Sequence, residues 1–494
     1  MPDCSLKVLP FPKPEWWATR NGVFAAIPPM LRKAAKVAVL SALNAYDKRD
    51  GEPRPQPPAL WDMSVSPEGE LRWERCSLVE LARQYGTPLY VISRARLERD
   101  YNEFHSAFAT LYPNVEIGCS YKTNPLPGVI QVLHEVGASA EVISHFELWL
   151  ALRLGVAPER IIFNGPAKTD QALDLAVSRG VRLINVDNLD EIEKIDRLAA
   201  KYGRKQEVGV RVVTSVGWSA QFGLRINSGH AVEAFRRMKA AKYLDPCALH
   251  VHLGTGIKDA QVYFTAVGEM LAFARQLRSE LGVEMRYLDF GGGFGVPTVR
   301  PLTELDAKLL ANGFAVNPPK EGQAPTTAEY AQGIVGRLSQ FYDLSSTASP
   351  RIILEPGRAV TSRSQCLLLS VLALKAGDRF SEYAILDGGK NLTIPLGYEY
   401  HEAFIANRMK ESTARRYSLF GPLCHPGDVL FKYRDFPELH RGDLLAIMDA
   451  GAYFVANQMN FSNPRPAAVM VSGSDARLIR ERESFDNIVQ LDRV

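Results

Sequence analysis

The stretch NVEIGCSYKTNPLPGVIQVLHEVGASAEVISHFELWLALRLGVAPERIIFNGPAKTDQALDLAVSRGVRLINVDN, residues 114–188, alternates short β-rich runs with helical ones. Outward from it, PLYVIS (88–93) heads the same alternation, and EVGVRVV (207–213), ALHVHLG (248–254) and MRYLDFGGG (285–293) continue it. Helical text lies between, at Leu148–Leu154, Thr169–Ser178, Leu189–Tyr202 and Ala260–Leu281. A Gly, Asn or Asp cluster falls just after the strands. Eight such runs over roughly 250 residues suit a closed (β/α)8 barrel, whose sites lie at the carboxyl ends of the strands. A doubly wound open sheet gives a similar pattern, and periodicity alone does not separate the two. After Ile353 the text turns strand-rich: CLLLSVLALKAG, EYAILDGG, GDVLFKY, DLLAIMDAGAYF and AAVMVSG indicate a second, β-dominated domain.

The expected organisation is an N-terminal extension with a Pro-rich linker (1–58), then a leading strand segment packing with the C-terminal β domain (59–90). The barrel follows (91–358), then a β-rich C-terminal domain (359–494). In the extension, Trp16-Trp17 precedes a basic apolar stretch from Pro28 to Ala45 with near-helical spacing, read as an amphipathic helix docking on the body. Pro53, Pro55, Pro57 and Pro58 mark a semi-rigid connector.

The length of 494 residues fits two domains and an appendage. The charge of +3 is a near-cancellation of 58 basic and 55 acidic side chains, and without a concentrated basic field a nucleic-acid partner is not expected. The stretch Val23–Tyr46 is broken by charges and prolines, so no membrane association is expected. Six scattered cysteines without a CxxC pair argue against a disulfide framework and for a reducing, cytoplasmic setting.

Five strand-end motifs carry chemistry. Ser120-Tyr121-Lys122-Thr123-Asn124 closes an apolar strand with a lysine; such lysines commonly reach solvent, but one in a barrel mouth can react with a carbonyl. In His250-Val251-His252-Leu253-Gly254-Thr255-Gly256 the two histidines share a face. No further ligand sits at metal spacing, so no metal is expected, and a flat imidazole against a flat ligand is the alternative. Asp289-Phe290-Gly291-Gly292-Gly293 is either a tight turn or a set of amides converging on a phosphate. Glu355-Pro356-Gly357-Arg358 is either a turn ion pair or a carboxylate and a cation serving two ends of one polar ring ligand. Finally, Cys424 lies in a Pro/Gly-rich turn, Gly421 to Asp428, beside His425.

In that order the five motifs resemble the alanine-racemase-like barrel enzymes that use pyridoxal phosphate, in the diaminopimelate, ornithine and arginine decarboxylase branch. Supporting matches are Glu141-Val142-Ile143-Ser144, Phe222-Gly223, Asp387-Gly388-Gly389, Gly451-Ala452-Tyr453 and Pro464-Arg465-Pro466-Ala467. The resemblance runs from about Pro88 to Val471. It implies an α/β fold with a pyridoxal 5'-phosphate-binding (β/α)8 barrel and a β-rich C-terminal domain, an amino acid substrate, and a homodimer with shared sites. Lys122 looks like the Schiff-base lysine, His252 the ring-stacking residue and Glu355 the partner of the pyridine nitrogen. Gly291, Gly292 and Gly293 would cradle the phosphate, with Thr255, Gly357, Arg358 and Tyr453 assisting. Cys424 looks like the acid that reprotonates the substrate carbon, delivered from the neighbouring subunit, with Asp428 in the same loop.

Departures from the family pattern bear on the substrate. Diaminopimelate decarboxylases carry an arginine before a proline in the loop after Asp387-Gly388, and it binds the distal carboxylate; here Ile394 precedes Pro395, while Tyr398 keeps the aromatic four residues on. The glutamate after the loop cysteine is His425, and the usual Lys-Phe-Gly lysine is Gln221. The cofactor end is thus intact and the specificity end rebuilt. This implies a decarboxylase of a diamino or conjugated amino acid in specialised metabolism, siderophore-type biosynthesis for example. Diaminopimelate decarboxylase of lysine biosynthesis is the alternative, a racemase or epimerase on the same fold the next, and an inactive decarboxylase-like regulator a reading of another class.

Overall fold

The structure is a computed structural model that describes residues 55–320 and 322–493, with Ala38, Val39 and Ser41. Apart from those three and residues 55–58, the extension and linker, with Trp16-Trp17 and the rest of the expected docking helix, lie outside the described residues.

Eight strands form a parallel ring: β1 (Val115–Ser120), β2 (Ser139–Val142), β3 (Ile161–Phe163), β4 (Leu183–Val186), β5 (Gln206–Val213), β6 (Leu244–His250), β7 (Tyr287–Asp289) and β8 (Arg351–Leu354). Each pairs with the next, and β8 closes the ring by setting Ile352, Ile353 and Leu354 opposite Val115, Glu116 and Ile117 of β1. Closure excludes the open doubly wound sheet. Strands such as β3 and β4 are buried at every residue, because helices cover one face and the barrel interior the other.

The period-2 alternation of these strands explains where polarity goes. One apolar layer inside the ring is made by Ile162, Leu183, Ala248 and Ile353. Two residues further along each of those four strands stand Asn164, Asn185, His250 and Glu355, all buried. Ser120, Glu141, Arg211 and Asp289, also buried, add polar side chains near the carboxyl ends of the other four. The barrel therefore ends, at its carboxyl face, in a layer of buried polar groups.

The helices start where the sequence supplies caps. Ser144 accepts from Glu147 N to open His145–Arg153, and Thr169 accepts from Ala172 N to open Asp170–Arg179, each cap contributing about 1 kcal/mol. The helices expected at 189–202 and 260–281 are Asp190–Lys201 and Ala260–Leu281.

One strand is misplaced by the sequence reading. PLYVIS does not enter the ring: Leu89–Ser93 pairs antiparallel with Gln365–Lys375 and parallel with Ala467–Ser472 in the β-rich sheet. All five of its residues are buried, and an apolar run fits the centre of either sheet. The eighth barrel strand is instead RIIL. The β-rich sheet runs Val429–Phe436, Arg415–Phe420, Glu382–Leu386, Gln365–Lys375, Leu89–Ser93, Ala467–Ser472, Asp475–Arg480. No helix among the described residues is long and apolar enough to cross a membrane.

Candidate active site

Lys122 sits on the single turn Tyr121–Thr123 that follows β1. Its Nζ donates to Ser120 Oγ and to Glu141 Oε2, both at 2.7 Å. Asn164 Nδ2 links the two carboxylates of this layer, donating to Glu141 Oε1 at 3.1 Å and Glu355 Oε1 at 2.6 Å. Its own oxygen accepts from Asn185 Nδ2 at 2.8 Å, which fixes the amide's orientation. Burial works against the Lys122 ammonium, yet Glu141 and Glu355 outweigh it and hold its pKa above the ordinary lysine value.

Glu355 follows β8 directly. Its Oε2 lies 3.6 Å from His250 Nε2 and 4.0 Å from His252 Nδ1, so both histidines of the HVH motif reach one carboxylate. Burial opposes its charge, but His250 and Lys122 prevail and keep it ionised, its pKa below the usual carboxylate range. Asp289, fully buried beside it, moves the other way: burial and the Glu355 charge push it well up, so it stays a neutral acid. One environment thus splits two adjacent carboxyls into a charged and an uncharged one. Burial, then the Lys122 cation, lowers His252 to about 3, so its ring is neutral. Gly292 N–H donates to its Nδ1 at 3.2 Å, leaving the proton on Nε2.

These groups wall a small cavity lined by Ser120, Lys122, Thr123, His252, Thr255, Gly293, Glu355, Gly357, Arg358 and Tyr453. Of the three glycines expected to form an amide cradle, only Gly293 lines it. The N–H of Gly291 is turned to Asp289 Oδ1 (2.9 Å) and that of Gly292 to His252. A side chain at Gly292 would meet the carbonyl oxygen of Glu355 at 2.2 Å, so packing demands glycine there. Tyr453 stands in left-handed backbone (φ 68°), its N–H bonded to Thr123 O at 2.9 Å. Such a conformation in an aromatic residue costs about 1–3 kcal/mol and needs a surrounding that enforces it.

The chain does not bring every expected residue to this cavity. Cys424 and His425 are exposed on the turn before Val429–Phe436 and do not line it. Asp428 is buried and shapes that turn, accepting from Lys390 N (2.6 Å) and Leu423 N (2.8 Å). Ile394 opens the turn Ile394–Gly397, and Tyr398 just beyond is about half exposed and feels the charge of Arg358.

Several site residues escape the sequence reading. Asn164 and Asn185 look like ordinary strand-end amides, and Arg211 like any mid-strand cation. Trp218, nearly half exposed, tilts against His252 at 5.8 Å between ring centres, from a loop whose Gly/Ser text reads as a plain turn. Glu399, which pairs with Arg358 at 2.6 Å, lies 41 residues after it in sequence.

Four polar groups here are buried without a partner: Thr123 Oγ1, Arg358 Nη1, both ring nitrogens of His250, and Asp289 Oδ2. Such groups are costly unless a ligand satisfies them. A primary amine, a neutral imidazole face, an ionised carboxylate and an unspent guanidinium edge suit a ligand with a carbonyl, a flat ring, a basic ring nitrogen and an anionic tail. Pyridoxal 5'-phosphate has all four. A closed parallel barrel with a lysine on the turn after its first strand and this donor set defines a pyridoxal-phosphate enzyme of the alanine-racemase-like class.

Residues 94–362 match the pyridoxal-binding domain of the pyridoxal-dependent decarboxylases. The chain belongs to that family: it is an amino acid carboxy-lyase whose cofactor is pyridoxal 5'-phosphate. It is 31% identical over 446 residues to a diaminopimelate decarboxylase of Archaeoglobus fulgidus, covering 87% of this chain and 99% of that one. The corresponding enzyme of Methanothermobacter thermautotrophicus is 30% identical over 441 residues, covering 87% and 97%. Among solved structures, a diaminopimelate decarboxylase from M. jannaschii superposes with a TM-score of 0.78 at 26% identity, over 87% of this chain and 98% of that one.

Proposed function

We propose that the protein decarboxylates an amino acid whose far end is conjugated or uncharged, a diamino acid derivative of specialised metabolism, in a homodimer with shared sites. The observation that carries the substrate reading is Ile394, an apolar side chain where the family's diaminopimelate enzymes present a cation, on the turn that leads to Tyr398. Diaminopimelate decarboxylase is the second reading, favoured by the names of relatives about 30% identical.

Lys122 would hold the cofactor through its amine, which Ser120 and Glu141 orient. Bound pyridoxal phosphate supplies the electron sink for the carbon that loses CO2. Glu355 would hold a proton at the pyridine nitrogen, and His252, neutral and flat, would pack on the ring. Thr255, Gly357, Arg358 and Tyr453 would hold the phosphate, with Gly293 the one glycine of the three that faces the cavity. Cys424 of the second subunit returns a proton to the substrate α-carbon, beside His425, Ile394 and Tyr398 as the substrate-reading groups. Exposure of Cys424 and its absence from its own chain's cavity support this trans arrangement. Five unpaired cysteines among the described residues support a reducing, cytoplasmic setting.

Two tests follow. Mixing Lys122→Ala with Cys424→Ala protomers, each inactive alone, is expected to restore part of the activity through heterodimers. No recovery despite proven subunit exchange would sink the shared-site reading. For the substrate, losing the charged contact to a distal carboxylate forfeits roughly 1.5–3 kcal/mol, and tenfold in rate is about 1.4 kcal/mol. Wild type is therefore expected to show kcat/KM on meso-diaminopimelate about one to two powers of ten below that on an end-conjugated diamino acid. An Ile394→Arg, His425→Glu double variant should narrow that gap. Efficient wild-type turnover of meso-diaminopimelate would establish the second reading instead.

A further inference from the structure

A chain of buried polar contacts runs away from the cavity through Arg358. Its Nη2 donates to Glu399 Oε1 at 2.6 Å, and both side chains are buried. The other oxygen of Glu399 lies 3.3 Å from His401 Nε2, and His401 Nδ1 bonds the carbonyl of Met448 at 2.9 Å. The His401 ring is fully buried, edge-on to Phe454 at 5.2 Å. The Glu399 backbone is itself held by pairing of Glu399–Tyr400 with Arg300–Pro301. Burial opposes the Glu399 charge, but His401 and Arg358 outweigh it and keep the carboxylate ionised. Glu399 is therefore gripped at both oxygens and along its main chain.

Arg358 is the cavity end of this chain. Its second terminal nitrogen, Nη1, is buried with no hydrogen-bond partner among the described residues. Nothing among the described residues pairs with that nitrogen, whereas an anion in the cavity would. A guanidinium is a rigid planar fork, so pinning one nitrogen sets the direction of the other.

We propose that Glu399, backed by His401, is a positioning residue: it grips one edge of the Arg358 guanidinium so that the other edge is kept for an anion borne by the cofactor or the substrate. This rests on the family assignment and the Arg358–Glu399–His401 geometry, and is independent of which amino acid is decarboxylated. Two anions fit the chemistry, the cofactor phosphate and a substrate carboxylate, and the test separates them.

The full-length protein is stripped of cofactor with hydroxylamine. Pyridoxal phosphate and pyridoxal, which lacks the phosphate, are titrated back by absorbance into wild type, Glu399→Gln and His401→Gln. Pimelate, a dicarboxylate without an amino group, is titrated into the three holoenzymes and followed by the cofactor absorption band. The variants are expected to bind pyridoxal phosphate or pimelate about tenfold more weakly, the size of one charge-assisted hydrogen bond. Pyridoxal affinity and Tm should stay near wild type, which a merely structural role would not allow. Loss confined to pyridoxal phosphate assigns the anion to the phosphate, and loss confined to pimelate assigns it to a substrate carboxylate. If neither ligand weakens more than twofold, or if pyridoxal affinity and Tm fall in step with the rest, the proposal is overturned. Should Glu399→Gln not fold, His401→Gln, which leaves Glu399 in place with its second oxygen released, decides by the same comparison.

Discussion

Lys122→Ala is expected to take decarboxylation to background, a loss of at least about three powers of ten in kcat, on the order of 4 kcal/mol of barrier. The alanine removes the one amine in the cavity wall. The competing buried lysine, Lys168, is fully enclosed and already committed: its Nζ donates to Gly165 O (3.1 Å), Asn185 O (2.7 Å) and Glu191 Oε2 (3.0 Å). All three of its protons are spent, so it has none to give up without breaking a buried contact. Lys122, by contrast, keeps about a quarter of its side chain exposed and has two acceptors at hand. Borohydride reduction of the yellow holoenzyme, followed by peptide mass mapping, should find the cofactor covalently on Lys122. An adduct on Lys168 or any other lysine would remove the basis of the whole site assignment. The fold should survive the substitution, because Glu141 retains Ser120 and Asn164 as donors.

How much of this can be read from residues alone depends on whether the controlling contact is local. The barrel strands announce themselves because each is short, apolar and closed by a polar residue, and the caps Ser144 and Thr169 sit one residue before their helices. Closure of the ring is not local: it depends on β8 finding β1 some 235 residues earlier. The same holds for Leu89–Ser93, whose partners lie near residues 367 and 469. Within the site, Lys122, His252, Glu355 and Arg358 stand in motifs whose spacing is compact. Asn164, Asn185, Trp218 and Glu399 do not, since each acquires its role only when a distant strand end or loop is folded against it. The amide cradle errs for a related reason. Three consecutive glycines predict three available N–H groups, but His252 and Asp289 claim two of them, and neither claim is visible in a run of Gly-Gly-Gly.

The second large effect is expected at Glu355. Glu355→Gln is nearly isosteric, and its amide oxygen can still accept from Asn164 Nδ2, now 2.6 Å from Oε1. The fold and Tm should therefore change little, while the charge is lost. Leaving a buried cation at the ring nitrogen without its partner costs about 3–5 kcal/mol, and tenfold in rate is about 1.4 kcal/mol. A fall in kcat of about two to nearly four powers of ten follows, with cofactor still expected to bind through Lys122 and the phosphate contacts. Acidification should not mimic the substitution in the ordinary assay range. A carboxylate whose pKa is depressed on folding contributes stability that is present above its unfolded value, about 4.3, and is lost only as pH falls through the lower folded value. The direction of the Glu355 shift thus predicts an ionised group throughout neutral and mildly acidic pH. In wild type Asp289 does not share this role, because burial and Glu355 itself push its pKa up; in Glu355→Gln that repulsion disappears, and Asp289 becomes freer to ionise and to serve in part. The Glu355→Gln, Asp289→Asn double variant should accordingly fall below Glu355→Gln alone, whereas Asp289→Asn by itself should cost less than tenfold. Measuring kcat and Tm for the three proteins decides it: a kcat for Glu355→Gln within fivefold of wild type would mean that the ring nitrogen is served by another group.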